Sequence, residues 1–420
     1  MLNQIKKIAK FIIPSFLIGW YHFVQSFLGA IFYCFPSKKT TVIGVTGTNG
    51  KSTVVKMLFE ILKDKHKVAS FSSIESRIGD EKRNNNLRMT MPGRFALQRF
   101  LKKAADSNCR YVILEVTSEG IKQYRHKFID FKIAIFTNLS PEHIESHGSF
   151  EKYRLAKTEL FKITKDIHVL NMDDESLQYY NFPADKKYYY GINKTSEEGK
   201  EIRAINCVSN ENGSIFEING TSFNLSLLGS FNIYNALAAI CVGLSQGISL
   251  ESCSESLKRI KNISGRMEIV ISGPFKVIVD YAFTPNALEK VYNTIQESFN
   301  PKKLICVLGS CGGGRDKWKR PILGKIAQKH CQEIIVTNED PYDENPEEII
   351  DQVIEGAGSN AKKIIDRREA IKEALKIAEK GDIVLITGKG SEFSICLKNG
   401  KRIPWDDRRV VREEFIKINN

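Results

Sequence analysis

A glycine-rich stretch at 44–53, GVTGTNGKST, carries the residues of this chain that are best suited to chemistry. It follows a β-branched run and precedes a helical pattern, so the sequence predicts a strand, a tight loop and a helix. Such a loop turns backbone N–H groups toward phosphate oxygens, and the helix dipole favours the same anion. Lys51 can reach the β- and γ-phosphates of a nucleotide, and the Ser52 hydroxyl can bind Mg²⁺; a plain strand-to-helix turn would not need the lysine. The predicted nucleotide-binding residues are Gly47, Thr48, Asn49, Gly50, Lys51, Ser52 and Thr53.

A carboxylate ends a second apolar strand, which is predicted at 111–115. In open α/β sheets ligands bind at the carboxyl ends of parallel strands, so we expect Glu115 beside the same phosphates. Its oxygens suit Mg²⁺, which prefers oxygen ligands. The alternative is a solvated strand end, and the unbroken apolar run before Glu115 favours the metal site.

The loop after the next strand, FTNLSPEHIESHG at 136–148, holds two histidines and two acids. These residue types can complete a metal or phosphate site, but an ordinary polar loop is an equally good interpretation of the residues alone. The helical pattern behind the loop contains Lys157, whose spacing alone indicates a surface lysine.

The elements that must position these residues follow an α/β pattern, in which β-branched runs alternate with amphipathic segments. The predicted strands lie near 41–46, 111–115, 132–137, 166–170, 276–280, 303–308, 333–337 and 382–387. Between the two groups come an antiparallel patch at 201–227, a helix at 232–246 and a linker at 262–266. The sequence therefore predicts a P-loop nucleotide domain with a mostly parallel sheet and a Rossmann-like C-terminal α/β domain. The predicted boundaries are 1–40 for an apolar helical segment, 41–265 for the nucleotide domain and 266–420 for the C-terminal α/β domain.

The composition is typical of a folded enzyme with a basic surface. Of 420 residues, 26% are charged and 42% hydrophobic, which excludes a disordered chain and favours two or three domains. The net charge of +13 is spread without a dense basic run, so anionic small molecules or membrane surfaces fit better than nucleic acid. The nine cysteines show no Cys-x-x-Cys spacing. Neither a zinc ribbon nor a disulfide framework is expected, and the thiols are expected to be reduced.

An uncharged stretch at 11–35 lies between two groups of lysines near the N-terminus. It is long enough to cross a bilayer, yet it contains Pro14, Gly19, His22 and Gln25. No small-residue cleavage site follows it, so a signal peptide is not expected. The residues leave open an interfacial helix or helix pair, a membrane span and a helix docked on the body of the protein.

Read together, a series of sequence blocks resembles the Mur ligase family, and within it the members that add the third residue to a muramyl dipeptide. The blocks follow the family's order: GTNGKS, LEVTSEGIKQYR, FTNLSPEHIESHG, YRLAKTELF, GSFNIYNALAAI, SGRMEI, VIVDYAFTPNALE, GSCGGGRDKWKRP and ITGKGSE. The resemblance covers nearly everything from Thr41 onward. It implies an ATP- and Mg²⁺-dependent acid–amino-acid ligase that works through an acyl phosphate in peptidoglycan precursor synthesis.

The resemblance also assigns the ATP and metal residues. In the family, the lysine that matches Lys157 is carbamylated, which requires a lowered pKa so that the free amine can capture CO₂. Residues that match Ser52, Glu115 and His143 bind the metal with it. The implied catalytic residues are Lys51, Lys157, Glu115 and His143. The further implied ATP contacts are Asn138, Asn232, Asn235, Arg266 and Asp280.

Two groups of substrate residues follow from the same resemblance. The muramyl-peptide positions are Thr90, Thr117, Gln123 and Arg125. The positions for the incoming amino acid are Arg315, Glu339, Asp340, Gly388 and Glu392. Tyr342 stands where members that add diaminopimelate have an arginine, and it cannot supply a cation for a distal carboxylate. Either Arg315 compensates, or the added residue is lysine or another amine.

The chain departs from the family pattern at several points. Glu119, Phe283 and Ser391 each replace a histidine, and the forty residues before Thr41 leave no room for the family's UDP-binding domain. We therefore expect a muramyl peptide that is held without strong uridine contacts, with either UDP or a lipid attached. The resemblance implies a monomeric cytoplasmic enzyme without a nucleic-acid partner, and membrane-surface contact through 11–35 stays open. The alternatives are a folylpolyglutamate or cyanophycin type of ligase, and a membrane-associated ATPase or binding module that does not ligate.

Overall fold

The computed structural model describes residues 14–85 and 89–419, and the β-branched runs form the strands of two large sheets. The elements of the first part are α1 (Ser15–Phe32), β1 (Thr41–Thr46), α2 (Lys51–Lys63), β2 (Val68–Phe71), β3 (Glu75–Ile78), β4 (Glu81–Asn84), α3 (Arg94–Asp106), β5 (Tyr111–Glu115), α4 (Ser118–Lys122), β6 (Phe131–Phe136), α5 (Ile144–His147), α6 (Phe150–Ile163), β7 (Ile167–Asn171), β8 (Lys186–Gly191), β9 (Lys200–Arg203), β10 (Ile205–Asn210), β11 (Gly213–Ile218), β12 (Thr221–Leu225), α7 (Ser230–Ser245) and α8 (Leu250–Lys258). The elements of the second part are β13 (Glu268–Ser272), β14 (Lys276–Val279), α9 (Pro285–Phe299), β15 (Leu304–Leu308), α10 (Lys319–His330), β16 (Glu333–Val336), α11 (Pro346–Ala357), β17 (Lys362–Lys363), α12 (Arg367–Ile377), β18 (Ile383–Ile386), β19 (Ser394–Cys396), β20 (Arg402–Pro404) and α13 (Asp407–Asn419).

The first large sheet has the strand order β4-β3-β2-β5-β1-β6-β7-β8-β9 and is parallel from β2 to β9. At its centre Val45 of β1 lies opposite Glu115 of β5 and Ile135 of β6. Apolar side chains of α2, α7 and α8 cover one face, and those of α3 and α6 cover the other. Because the strands are parallel, the loops that follow β1, β5 and β6 meet at one edge, where a ligand site is expected.

The second large sheet has the strand order β13-β14-β18-β15-β16-β17, and its strands are parallel except for β13. Helices α9, α10 and α11 bury their apolar faces on one side, and α12 and α13 do so on the other. The predicted mixed α/β architecture with parallel-rich sheets is confirmed. The finer predictions of a P-loop domain and a Rossmann-like domain, with their boundaries, stay predictions.

One local prediction needs correction, and the segment between the two parts of the chain has a defined structure. Strands β10, β11 and β12 form the expected antiparallel patch, but β9 pairs in parallel with β8 and belongs to the large sheet. The predicted linker at 262–266 is a tight turn closed by a bridge between Ile263 and Arg266. Gly265 has φ +61, and a Cβ there would lie 2.1 Å from the Ser391 backbone nitrogen, so the turn packs closely on the second part of the chain.

Helix α1 docks on the body of the protein through its small and polar residues. A Cβ on Gly29 would be in ordinary contact with Phe95 of α3, and Ser26 Oγ donates a hydrogen bond to the Tyr124 carbonyl at 2.8 Å. Residues 11–13 of the predicted apolar stretch lie outside the described residues. Within 14–85 and 89–419, the structure contains no helix with the length and apolar character needed to cross a bilayer.

The expectation that the thiols are reduced is wrong for one pair. Cys306 of β15 and Cys331 after α10 form a disulfide bond, with their Cα atoms 6.1 Å apart. Cys331 directly follows α10, and the packing of α10 on the sheet places it beside Cys306. The two cysteines are 25 residues apart in sequence, and no local spacing indicates the pairing.

A buried histidine should make folding sensitive to acid. His126 is buried, both of its ring nitrogens lack hydrogen-bond partners among the residues that the structure describes, and burial lowers its pKa to about 4. Below pH ~6.5 the unfolded chain takes up a proton that the folded chain does not, so stability falls as the pH drops toward 4. The loss should be about 2 kcal/mol between pH 7 and pH 5. The free energy of unfolding in urea, measured from pH 7 to pH 5, should lose this part of its pH dependence in His126→Leu. The control His66→Leu, at a partly exposed site, should keep it. The same pH dependence in His126→Leu and the wild type would contradict the assignment to His126.

Candidate active site

A cavity of about 590 Å³ lies where the strand ends of the first sheet face the second part of the chain. Most of the residues predicted from sequence line it: Thr48, Asn49, Gly50, Lys51, Ser52, Thr53, Thr90, Glu115, Thr117, Gln123, Arg125, Asn138, His143, Lys157, Asn232, Asn235, Arg266, Asp280, Arg315 and Glu392. Four predicted residues are not part of this lining, namely Gly47, Glu339, Asp340 and Gly388. The structure therefore brings most of the predicted site together in one place.

The loop after β1 has the backbone conformation that its glycines permit. Gly47 and Gly50 have φ values of +147 and +85, and α2 begins directly after Gly50. A Cβ on Gly47 would lie 1.9 Å from Thr137 Oγ1, and one on Gly50 would lie 2.3 Å from Asn235 Oδ1. Lys51 folds back so that its Nζ donates to the Gly47 and Thr48 carbonyls at 3.0 and 2.8 Å. Burial lowers the pKa of Lys51, opposed by the charge of Glu115. The loop therefore has the glycine conformations and the central lysine that an anion-binding site would use.

Glu115 lies beside this loop as a buried carboxylate. Ser52 Oγ donates a hydrogen bond to Glu115 Oε1, and the Ser73 backbone N–H donates to Oε2 at 2.8 Å. Within the described ranges, no basic nitrogen lies within 4.0 Å of the Glu115 oxygens. Burial raises the pKa of Glu115, with the charge of Lys51 acting in the opposite direction. A buried carboxylate next to a hydroxyl oxygen, without an ion pair, fits a hard cation such as Mg²⁺.

Lys157 is buried in the same place and is not the surface lysine that its spacing indicated. Only 2% of its surface is exposed, and its Nζ donates to the Gly47 carbonyl at 2.7 Å. The Tyr153 ring lies 4.8 Å from Nζ. Burial lowers the pKa of Lys157 well below its ordinary value, and the nearby Lys51 lowers it further. Burial therefore disfavours the charged form of this amine.

His143 approaches the cavity from the loop after β6. Burial lowers its pKa to about 2, and the charges of Arg315, Lys157, Lys319 and Lys51 act in the same direction. The imidazole is therefore neutral and keeps a nitrogen lone pair that could bind a metal. Within the described part of the chain, no group of three or more His, Cys, Asp or Glu side chains forms a metal cluster. A Mg²⁺ site would accordingly depend on Glu115, Ser52 and His143.

The predicted adenine and loop residues also support the cradle itself. Asn138 accepts a hydrogen bond from the Asn49 backbone N–H at 2.9 Å and donates to the Asn49 carbonyl at 3.1 Å. Asn235 donates to Asn232 Oδ1 at 3.0 Å, and Asn232 donates to the Leu228 carbonyl at 2.8 Å. These amides fix the loop after β1 on α7, since Asn235 also fills the space above Gly50.

The second part of the chain closes the cavity with Arg266 and Asp280. The Arg266 guanidinium lies 4.4 Å from the centre of the Tyr281 ring. Asp280 accepts hydrogen bonds from the Met267 and Ala282 backbone N–H groups at 2.7 and 2.6 Å. Burial raises the pKa of Asp280, and Arg266 opposes that change. Asp280 therefore holds the turn that carries Arg266.

The predicted muramyl-peptide residues follow β5. Thr117 caps α4 by accepting a hydrogen bond from the Gly120 backbone N–H at 3.0 Å. Arg125 donates to Gln123 Oε1 at 2.8 Å and to the Met91 carbonyl. Burial lowers the pKa of Arg125, which stays a cation at neutral pH. Together with Thr90 these residues form a polar part of the cavity wall.

Comparison with known proteins identifies the family of the chain. The model of the Mur ligase middle domain matches residues 45–243, and that of the Mur ligase glutamate ligase domain matches residues 265–390. The UDP-N-acetylmuramoyl-L-alanyl-D-glutamate–2,6-diaminopimelate ligase of Syntrophomonas wolfei is 36% identical over 405 residues, covering 92% of this chain and 80% of its own. The chain belongs to the Mur ligase family. The corresponding ligase of Caldanaerobacter subterraneus is 38% identical over 392 residues, covering 91% of this chain and 79% of its own.

Solved structures of Mur ligases and their relatives share the fold. A structure of a UDP-N-acetylmuramoyl-L-alanyl-D-glutamate–2,6-diaminopimelate ligase has 29% identity and a TM-score of 0.62, and the match covers 91% of this chain and 79% of the other. A Mycobacterium tuberculosis folylpolyglutamate synthase gives a TM-score of 0.70 at 15% identity, covering 87% and 92% of the two chains. At that identity the second comparison shows the fold alone.

In this Mur ligase the residues predicted for the incoming amino acid occupy two layers. Arg315, Tyr342 and Glu392 line the cavity. Glu339 and Asp340 are buried behind them, and Asp340 accepts a hydrogen bond from Lys389 Nζ at 2.9 Å. Gly388 supports this arrangement, since a Cβ there would lie 2.3 Å from Glu339 Oε2. Cys311, which the sequence analysis did not single out, donates from Sγ to Glu339 Oε1 at 2.8 Å.

Sequence reasoning also missed an ion pair between the two parts of this Mur ligase. Lys319 Nζ lies 2.8 Å from Glu142 Oε1, with side chains that are only 2% and 3% exposed. Phe283, one of the three histidine replacements, lies under this lysine with its ring centre 4.9 Å from Nζ. Of the other two replacements, Glu119 accepts a hydrogen bond from Ser146, and Ser391 lies behind the turn at Gly265.

Proposed function

We propose that this Mur ligase joins a free amino acid to the carboxylate of a UDP-muramoyl dipeptide at the expense of ATP, in peptidoglycan precursor synthesis. The observation that carries the proposal is the meeting of Lys51, Lys157 and Glu115 in the same cavity as Arg315 and Arg125. The γ-phosphate of ATP, the carboxylate of the muramyl dipeptide and the amine of the free amino acid can then be held side by side. The relatives that carry the same activity in their names are 36–38% identical over more than nine tenths of the chain.

The proposed chemistry has two steps that the cavity residues can assist. A carboxylate oxygen of the muramyl dipeptide attacks the γ-phosphorus of ATP, so that an acyl phosphate forms and ADP leaves. The amine nitrogen then attacks the acyl carbon, loses a proton, and phosphate departs as the amide forms. Lys51 and Arg266 would neutralise the phosphate oxygens, and positioning with charge neutralisation accounts for most of the rate. Bound Mg²⁺ would supply further neutralisation of the phosphates.

We propose that Lys157 is carbamylated. Its neutral Nζ would attack the carbon of CO₂, form a nitrogen–carbon bond and release a proton, which leaves a carbamate anion on the side chain. The low pKa that burial gives this amine supplies the free lone pair that the step requires. The carbamate would place a second anionic oxygen donor beside Glu115 and Ser52, as a hard cation requires.

The choice of amino acid is proposed to depend on Tyr342. Arg315 is the cation of this wall, while Lys389 is already engaged by Asp340 and Glu392. Tyr342 stands where a cation would pair with a distal carboxylate of the substrate, and its phenol supplies no such cation. We therefore infer that the added amino acid has an uncharged or cationic distal group, as lysine does. A Tyr342→Arg variant should shift the preference toward diaminopimelate.

Phosphate release by the purified protein tests the function. ATP, Mg²⁺ and UDP-N-acetylmuramoyl-L-alanyl-D-glutamate are supplied with a panel of amino acids that includes lysine and diaminopimelate. Release that needs both the muramyl dipeptide and one amino acid supports the proposal and names the second substrate. ATP binding without amino-acid-dependent ADP release would overturn it and favour a non-ligating ATPase or binding module.

A further inference from the structure

Helix α1 presents an outward face made entirely of large apolar side chains. We define this face by Leu17, Trp20, Tyr21, Leu28, Ile31 and Phe32, which are 45–71% exposed. At 100° per residue they fall within an arc of about 120° on one side of the helix. Isolated exposed apolar residues need no explanation, but a continuous exposed patch of this kind marks an interaction surface.

The surroundings of this face are basic. No acidic residue occurs in the sequence before Glu60, while Lys6, Lys7 and Lys10 precede α1 and Lys38 and Lys39 follow it. Lys38 and Lys39 are exposed. A row of exposed residues on α3, formed by Phe95, Arg99 and Lys103, continues the surface, and the Phe95 ring lies 6.5 Å from that of Phe32. Apolar and aromatic side chains bordered by lysine and arginine match the interface of an anionic bilayer.

The size of the face argues against a second copy of the chain as its partner. A helix of 18 residues is about 27 Å long and about 10 Å wide, so one face offers roughly 300 Å². A stable protein–protein interface buries about 800 Å² on each partner. A bilayer surface has no such lower limit, since aromatic side chains can insert individually beside the headgroups.

We propose that the outward face of α1 lies on the surface of an anionic phospholipid bilayer. The opposite face of α1 links this surface to the cavity. Arg94 donates hydrogen bonds to Gln25 Oε1 of α1 at 3.3 Å and to the Gln123 carbonyl at 3.0 Å. The Phe23 ring packs edge-on against Phe128, at 5.1 Å between ring centres. The loop that carries the proposed muramyl-peptide residues therefore lies directly beneath the membrane-facing helix. The proposal holds whether or not the ligase activity proposed above is correct.

Vesicle sedimentation of the full chain tests this surface. The vesicles consist of phosphatidylcholine, with or without phosphatidylglycerol. The wild type should bind the anionic vesicles, and a Trp20→Ser/Phe32→Ser variant should bind them about tenfold or more weakly. These side chains are 68% and 71% exposed, so the substitutions should leave the fold intact. Lys38→Gln/Lys39→Gln should weaken binding to the vesicles that contain phosphatidylglycerol, and it should not change binding to the vesicles of phosphatidylcholine alone.

The matched control is Val208→Ser/Ile416→Ser, which removes two apolar side chains, 55% and 58% exposed, from other surfaces. It should bind as the wild type does. Absence of wild-type binding, or equal loss in the control, would overturn the proposal. So would a concentration-dependent dimer that Trp20→Ser/Phe32→Ser abolishes in the absence of vesicles, because the partner would then be a second copy. None of these readouts uses ligase turnover, so a failure here is distinguishable from a failure of the proposed function.

Discussion

Replacement of Lys157 by alanine should lower turnover by about a hundredfold or more while ATP still binds. The side chain is buried, donates to the Gly47 carbonyl at 2.7 Å and has a strongly lowered pKa. If it is carbamylated, the substitution removes an anionic group from the cavity and with it a contribution that matters mainly in the transition state. Phosphate release in the presence of saturating ATP measures the loss, and a nucleotide displacement assay measures the binding that should persist.

Lys152→Ala is the matched control for this prediction, since Lys152 is an exposed lysine on the same helix, α6. It should turn over like the wild type. Added acetate should partly restore turnover in Lys157→Ala, because a small carboxylate can occupy the space of the carbamate. Rescue by an alkylamine instead would show that the lysine acts as a cation. Wild-type turnover in Lys157→Ala would remove Lys157 from the site altogether.

Much of the site could be predicted because it depends on strand ends. The positions of Gly50, Glu115 and Asn138 follow from short apolar runs, each ending at the same edge of a parallel sheet. Local patterns show where such strands stop, and the parallel topology then places their loops together. The family resemblance added Lys157 to the predicted site residues, whereas the helical spacing placed this lysine on a solvent-exposed face of its helix. Burial of a lysine depends on what packs above it, and here that is the loop after β1.

The features that sequence reasoning missed all depend on contacts between distant segments. The disulfide between Cys306 and Cys331 joins β15 to the end of α10, and the ion pair between Lys319 and Glu142 joins the second part of the chain to the loop after β6. The close approach of Asn235 to Gly50 joins residues that no periodic pattern connects. Each contact is fixed by tertiary packing, and hydrophobic periodicity and local turn signals do not indicate such contacts.

Lys319→Ala should lower the free energy of unfolding by about 3–5 kcal/mol, because it leaves a buried carboxylate without its partner. Glu142 is buried against Lys319, and its Oε2 has no hydrogen-bond partner within the described residues. Burial already raises the pKa of Glu142, with Lys319 opposing that change, so the variant should raise it further. A carboxyl whose folded pKa exceeds its unfolded pKa loses stability as the pH rises. The defect should therefore be larger at pH 8 than at pH 5 when it is measured by urea unfolding.

The control for Lys319→Ala lies on the same helix. Lys329 pairs with Glu289, but its side chain is 66% exposed, so Lys329→Ala should cost less than about 1 kcal/mol. The double variant Glu142→Gln/Lys319→Met should recover much of the stability, because neither side chain then carries a buried charge. Since the pair joins the His143 loop to the helix that follows Arg315, Lys319→Ala should also raise the KM for the amino acid. Equal stability of Lys319→Ala and Lys329→Ala would mean that the two parts of the chain separate in solution and that water reaches Glu142.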